Sequence, residues 1–320
     1  MVNILVPTDL SELSKIAAQY AIKIANKMDG NITLLHVINI IQPTRATMRL
    51  RLKSLEQELV DVAQEDMEVM VKDISKTLKA TQPVKVRIAK GSSFNDTVKK
   101  EAKKLRTGLI IMGTRGASGL KKYVMGSNTA SVIEISHVPV LAVPELGSFK
   151  NFRNVVYASD LQHLEKELKT LIPYLEKFDS TVHLIHVAQS LKTVSAVEKK
   201  IDAVVQKSGY KNIIVRVMVN KNIDEAIDHY VVATKADLLT MFTHERSFYE
   251  KLFDRSITRK MAFHSNVPLL AFRQRGGDKE MGNKGINAHV HSPSPHTRLT
   301  LLRCTTAGEA DNDQRITING

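Results

Sequence analysis

NILVPTDLSE at residues 3–12 returns as NVVYASDLQH at 154–163. Each copy opens on an asparagine, Asn3 or Asn154, passes through a short apolar run and reaches an aspartate, Asp9 or Asp160. Further along, NITLLHV at 31–37 returns as TVHLIHV at 181–187, and SHVPVLAV at 136–143 returns as SNVPLLAF at 265–272. The offsets are 151, 150 and 129, in the same order along the chain. A recurrence of this kind marks a tandem duplication. The copies occupy 1–146 and 151–274, and the second is about twenty residues shorter in its middle. PELGSFK at 144–150 places Pro, Gly and Ser at the junction.

Within the first copy, short apolar runs alternate with helical patterns. ILVP at 4–7 reads as a buried strand. After Ser11, Ile16, Tyr20, Ile24 and Met28 recur every fourth residue, which predicts an amphipathic helix that Asp29-Gly30 ends. ITLLHVI at 32–38 is a second strand, and 47–79 is apolar at helical spacing. VKVRIAKG at 84–91 is a third strand, followed by a serine-capped helix over 92–105. LIIMG at 109–113, SNTASVIEIS at 127–136 and VPVLAV at 138–143 add a strand, a short helix and a fifth strand. The alternation predicts an α/β fold: two tandem doubly wound, Rossmann-like units, each with a five-stranded parallel sheet. Ligands of such sheets sit outside the carboxyl ends of the strands, where the strand order reverses.

GTRGASGLKKYVMGS at 113–127 leaves the carboxyl end of the fourth strand. Gly113 and Gly116 lie three apart, and Gly126 stands directly before Ser127 and a helix. Backbone N–H groups can cradle a phosphate chain where no side chain blocks the approach. A helix start favours an anion through its free N–H groups and its dipole. Ser127 is expected to cap that helix and to offer its hydroxyl. The stretch is not a GxxxxGK[ST] loop. Asp9 either faces the ligand or merely neighbours the helix cap at Ser11. His36 and His186, inside apolar strands, read as hydrogen-bonded core histidines rather than ligands.

Composition narrows the function classes. The chain of 320 residues carries a net charge of +13. That charge is spread as +8 over 1–150, +5 over 151–275 and zero over 276–320. With 5% aromatics, no Trp and no concentrated basic patch, the chain does not read as a nucleic-acid binder. One cysteine, Cys304, excludes an internal disulfide framework. No 18-residue apolar run and no leader-like N-terminus is present, so no membrane segment is expected and the expected location is cytoplasmic.

G-x2-G-x9-G-S at Gly113, Gly116, Gly126 and Ser127, together with Asp9 and the internal repeat, resembles the ATP-binding branch of the universal stress protein family, in its tandem form. The resemblance covers 1–144 well and 151–274 more loosely. It implies a stress-response or signalling module holding an adenine nucleotide, ATP, with Mg or Mn on its phosphates and no identified protein ligand for the metal. Asp9 would contact the adenine or ribose end, with Pro7 and Thr8 lining the pocket and Val37 offering backbone groups to adenine. Met112 and Gly113 would lie beneath the ribose and phosphates. Arg115, Gly116, Gly126, Ser127 and Asn128 would surround the phosphates. Gly108 departs from the family's frequent Asp, at a place concerned with the start of the strand. The resemblance also implies pairing of the fifth strands, between the two units as a pseudo-dimer and between chains as a homodimer.

The second copy loses the pattern. At an offset of 129, Gly113 becomes Phe242, Gly116 becomes Glu245 and Gly126 becomes Arg255, while the serine persists as Ser256. A bulky ring and a carboxylate at phosphate positions oppose binding, so nucleotide is expected in the N-terminal unit only. The chain shows no paired carboxylates or nucleophile triad, so it is not expected to be an enzyme beyond weak ATPase activity. A partner-binding scaffold is the other alternative. The stretch 275–320, rich in Gly, Ser, Thr and Asn, is expected to be disordered; its His289, His291 and His296 could hold a metal.

Overall fold

A computed structural model describes residues 1–40, 46–114, 126–244 and 267–274. The first unit runs β1 (Asn3–Thr8), α1 (Glu12–Met28), β2 (Asn31–Asn39), α2 (Ala46–Thr77), β3 (Val84–Gly91), α3 (Phe94–Lys104), β4 (Leu109–Gly113), α4 (Ser127–Ile135) and β5 (Val140–Val143). The second repeats it as β6 (Asn154–Ala158), α5 (Leu164–Phe178), β7 (Thr181–Ala188), α6 (Val194–Ser208), β8 (Ile213–Val219), α7 (Ile223–Ala233), β9 (Leu238–His244) and β10 (Leu269–Gln274). Local chemistry sets these boundaries. The Ser11 hydroxyl accepts the Ser14 N–H at the start of α1, and Ser93 accepts from Asp96 at the start of α3. Asp29 and Asp179, both at φ 51°, turn the chain out of α1 and α5.

The two sheets are one. Ten strands lie in the order β3-β2-β1-β4-β5-β10-β9-β6-β7-β8. Every pairing is parallel except the central one, where Leu269, Leu270 and Ala271 of β10 lie antiparallel to Ala142, Leu141 and Val140 of β5. Each five-stranded unit would otherwise expose the unpaired backbone of its fifth strand. The strands are apolar on both faces, as sheets covered by helices on both sides require. One face buries Ile4, Val6, Ile24, Met67, Leu141 and Leu184 under α1, α2, α5 and α6; the other buries Leu5, Leu35, Val98, Ile110, Ile227 and Leu239 under α3, α4 and α7.

The junction does more than connect. Phe149 meets Tyr20 with ring centroids 5.4 Å apart and Phe152 at 4.9 Å, and Phe152 meets Phe178 at 5.2 Å. The segment read from sequence as a Pro/Gly/Ser connection therefore wedges two phenylalanines between α1 of one unit and α5 of the next.

Two predictions follow from the packing. Phe152 is buried in that cluster, so Phe152→Ala is expected to cost about 3–5 kcal/mol of stability in denaturant titration. Asp228 on α7 is half-buried, and burial, aided by Asp224 one turn before it, pushes its carboxyl up to about 6. The folded chain then binds this proton more tightly than the unfolded chain, so the contribution is present below the ordinary carboxyl range and is lost as pH rises through about 6. Asp228→Asn is expected to raise Tm at pH 7 by about 2–4 °C and to leave it unchanged at pH 3, as read by calorimetry.

Candidate functional site

In each unit the chain moves outward from the first strand through the second to the third, then crosses back to place the fourth strand on the other side of the first. The strand order therefore reverses between β1 and β4, and sheets of this kind take their ligands in the crevice beyond the carboxyl ends at such a reversal. Thr8, the last residue of β1, is paired with His36 of β2, and β2 runs on to Asn39. Val37 is thus the first residue of β2 beyond the reach of β1, leaving a stretch of strand backbone facing the crevice.

The turn after β1 is tightly tied. Pro7 and Thr8 are buried. The Thr8 hydroxyl donates to Ser14 Oγ at 2.8 Å and accepts the Leu10 N–H at 3.0 Å, while Leu10 takes a left-handed φ of 65°. His36 Nδ1 lies 3.0 Å from the Thr8 carbonyl oxygen and holds the strand end from the side. Asp9 is exposed at the crest of the turn, and its Oδ1 accepts the Ser11 N–H at 3.2 Å and the Ser11 hydroxyl at 2.6 Å. Asp9 therefore braces the residue that caps α1, and it is exposed at the carboxyl end of β1.

Across the crevice, Met112 and Gly113 end β4, buried, beside Ala142 and Val143 of β5. The chain leaves at Thr114 and returns at Gly126, whose N–H donates to the Thr114 carbonyl at 2.6 Å. The Thr129 hydroxyl donates to the Gly113 carbonyl at 2.7 Å, from inside α4. These two bonds fix the start of α4 against the end of β4. Arg115 and Gly116 lie outside the described residues. Thr129 and Thr114 were not singled out from sequence, because a threonine at a helix start or strand end has no distinctive spacing.

Gly126 corrects one expectation. It, and not Ser127, is the N-cap residue of α4, and no side chain caps the helix. The first intrahelical bond there is Ala130 N–H to the Gly126 carbonyl at 3.0 Å. The preceding N–H groups, at Ser127, Asn128 and Thr129, have no carbonyl within the helix. Ser127 and Asn128 are exposed in the first turn. Gly126 has φ −61° and ψ 145°, a conformation open to any residue. Backbone geometry therefore does not require glycine there.

The second unit repeats the turn with fidelity. Leu161 has φ 67°, the Ser159 hydroxyl accepts its N–H at 3.0 Å, His186 Nδ1 lies 2.9 Å from the Ser159 carbonyl oxygen, and Asp160 Oδ1 accepts the Gln162 N–H at 3.0 Å. Beyond the turn it differs. Phe242, in the place of Gly113, stacks on Phe272 with centroids 4.5 Å apart and meets Tyr157 edge-on at 5.8 Å. The Tyr157 hydroxyl donates to the buried Glu167 carboxylate, as does Ser159 at 3.2 Å. Burial, reinforced by Glu167, pushes the Tyr157 hydroxyl well above its ordinary range. Three aromatic rings and a buried carboxylate therefore fill the second unit beside its strand ends. Glu245, Arg255 and Ser256 lie outside the described residues. At the opposite end of the sheet, Asp237 accepts the N–H groups of Arg153 at 3.0 Å and Asn154 at 2.8 Å. Its counterpart Gly108 has no side chain to make these bonds, and its N–H donates to the Asn3 carbonyl at 2.8 Å. That position governs the start of the strand, far from the crevice. Among the described residues no group of three His, Cys, Asp or Glu side chains is placed to hold a metal ion, and no helix is long and apolar enough to cross a membrane.

The sequence model of the universal stress protein family matches residues 1–144 and again 151–273. The universal stress protein Slr1230 of Synechocystis is 24% identical over 295 residues, covering 85% of this chain and 100% of its own. The universal stress protein MJ0531 of Methanocaldococcus jannaschii is 28% identical over 142 residues, 44% of this chain and 81% of its own. The crystal structure of a universal stress protein from Archaeoglobus fulgidus superposes with a TM-score of 0.56 at 20% identity, covering 85% of this chain and 96% of that one; it shares the tandem fold.

The bond between α4 and β4 supplies a test. Thr129 is buried, so Thr129→Val strands the Gly113 carbonyl and is expected to lower stability by about 1–3 kcal/mol. Thermal denaturation checks it, with Thr129→Ser expected to recover most of the loss.

Proposed function

Because the chain belongs to the universal stress protein family, whose model matches both of its halves, we propose that it is an ATP-binding stress-response or signalling module with nucleotide in the first unit only. The observation that carries this reading is the contrast at one strand position. Gly113 leaves the end of β4 bare, whereas Phe242, at the equivalent position within β9, carries a ring stacked on Phe272. Asp9, beside Pro7 and Thr8, takes the ribose or adenine end, and the projecting backbone at Val37 takes the adenine edge. Met112 and Gly113 form the floor. The open N–H groups at the start of α4, with Gly126, Ser127 and Asn128, take the phosphates, joined by Arg115 and Gly116 from the loop. Bare backbone and a helix start fit an anion chain.

A divalent cation, Mg or Mn, is carried by the phosphates and neutralises them; this chain's residues bind and orient the nucleotide. In this reading the module retains its nucleotide and any turnover is slow, because efficient hydrolysis needs metal ligands and a water-positioning group that the sequence does not identify. The second unit serves as a packed partner for the first. A scaffold role draws support from α2, where Leu55, Leu59, Val62 and Val69 are exposed along one stripe.

Equilibrium binding of Mg-ATP to the full chain is expected to give one site per chain. Gly126→Glu and Asp9→Ala should each weaken it by about tenfold or more, an effect of at least 1.4 kcal/mol. Asp160→Ala should change nothing. Two sites per chain, no site, or sensitivity to Asp160 instead of Asp9 would each overturn the assignment.

A further inference from the structure

At the opposite end of the sheet from the crevice, a cavity of about 100 Å³ lies between α3 and α4. Its inner wall is Val98, Ile110 and Val132, all buried, with Ala102, Ile135 and Val138 around them. Lys99, Lys103 and Arg106, all exposed on α3 and the turn after it, stand at its rim. Thr107 also lines it. That residue is 7% exposed, and its hydroxyl is buried without a hydrogen-bond partner in the protein. A buried hydroxyl left unpaired costs about 1–3 kcal/mol, and native structures rarely tolerate one without a reason.

The duplication supplies an internal comparison. At the offset of 129, Val98 and Ile110 keep their apolar character as Ile227 and Leu239. Ala102, whose small side chain leaves room on α3, becomes Val231, 1% exposed. Thr107 becomes Ala236, 2% exposed, so the unpaired hydroxyl is gone. At the rim, Lys99 becomes Asp228 and Lys103 becomes Val232, while Arg106 stays cationic as Lys235. The second unit therefore has more bulk, no hydroxyl and only one of the three rim cations at the equivalent positions. The two units keep the same fold, so packing alone does not demand the cavity, the hydroxyl or the cations.

We propose that this cavity is a second ligand site, separate from the nucleotide crevice, for a small carboxylate with a short branched or straight apolar body. An apolar cavity of about 150 Å³ holds benzene, so about 100 Å³ takes a body of about four carbons. The apolar body lies against Val98, Ile110 and Val132. The Thr107 hydroxyl donates to the carboxylate, and Lys103 and Arg106 offset its charge at the mouth. A charged acceptor makes the stronger hydrogen bond, which favours an acid over an alcohol of the same shape.

The test uses the full chain with isovalerate as the probe, followed through the methyl NMR signals of Val98, Ile110, Val132 and Val138. Saturable shifts confined to these methyls are expected, with a dissociation constant of about 1 mM, reasonable for a ligand of this size. Ala102→Val, which imports the second unit's residue, should abolish them. Thr107→Ala should weaken binding about tenfold while raising the Tm of the ligand-free chain, a gain that a merely structural hydroxyl would not show. Isopentyl alcohol should bind about tenfold more weakly than isovalerate. The site is wrong if isovalerate gives no saturable shift up to about 20 mM, or if the shifts survive Ala102→Val. Equal binding of the alcohol would overturn the carboxylate. Mg-ATP binding, measured alongside, should be unchanged in both variants and reports that the fold is intact.

Discussion

A five-stranded parallel sheet cannot satisfy the backbone of its outermost strand, and this chain meets that constraint by pairing the two fifth strands with each other. Leu141 lies against Leu270 in the one antiparallel ladder of an otherwise parallel sheet of ten strands. The duplication, the single continuous sheet and the approximate two-fold relation of the units all follow from covering that edge. The aromatic wedge of Tyr20, Phe149, Phe152 and Phe178 then fills the angle between α1 and α5 on one side of the seam. Parallel strands on either side of the seam direct the carboxyl ends of each unit to its own crevice, so the two crevices can diverge without disturbing their shared core.

They have diverged. The turn after the first strand is the same object twice, with a left-handed leucine, a hydroxyl that receives its N–H and a histidine fixed to the preceding carbonyl. This turn sets up the mouth of a crevice but does not determine what enters it. The units differ instead along the fourth strand. In the first unit Gly113 gives its carbonyl to Thr129 and presents no side chain. In the second, Phe242, Phe272 and Tyr157 pack into one another over the buried Glu167. The same strand position thus carries no side chain in one unit and an aromatic ring packed into the core in the other.

Much of this was legible in the residues. The recurrence of NILVPTDLSE and NVVYASDLQH, the period-2 and fourfold apolar patterns, and the Gly-Ser pair before a helix depend on local chemistry and on spacing, which a sequence displays directly. The pairing of the fifth strands could be anticipated because an unpaired apolar strand must be covered. Other features were hidden. The phenylalanines of SFKNF looked like part of a connection, because nothing local shows that α1 and α5 converge on them. Ser127 looked like the cap, since serine favours that role; only the path of the chain at the start of α4 places Gly126 there instead and leaves the helix start open. The hydroxyls of Thr114, Thr129 and Thr107 carry no periodic signature, and their importance lies in which carbonyl or cavity they meet.

The sequence by itself determined the architecture: two copies of a strand–helix alternation, one with a glycine-lined loop and one without, since backbone propensity and apolar periodicity are properties of neighbours along the chain. Only the tertiary structure decided which groups converge. That Gly113 receives Thr129, that Phe242 finds Phe272 and Tyr157, and that Ala102 leaves space beneath Thr107 are consequences of packing between segments far apart in the chain. Such contacts depend on the distances between folded elements, which no local pattern encodes.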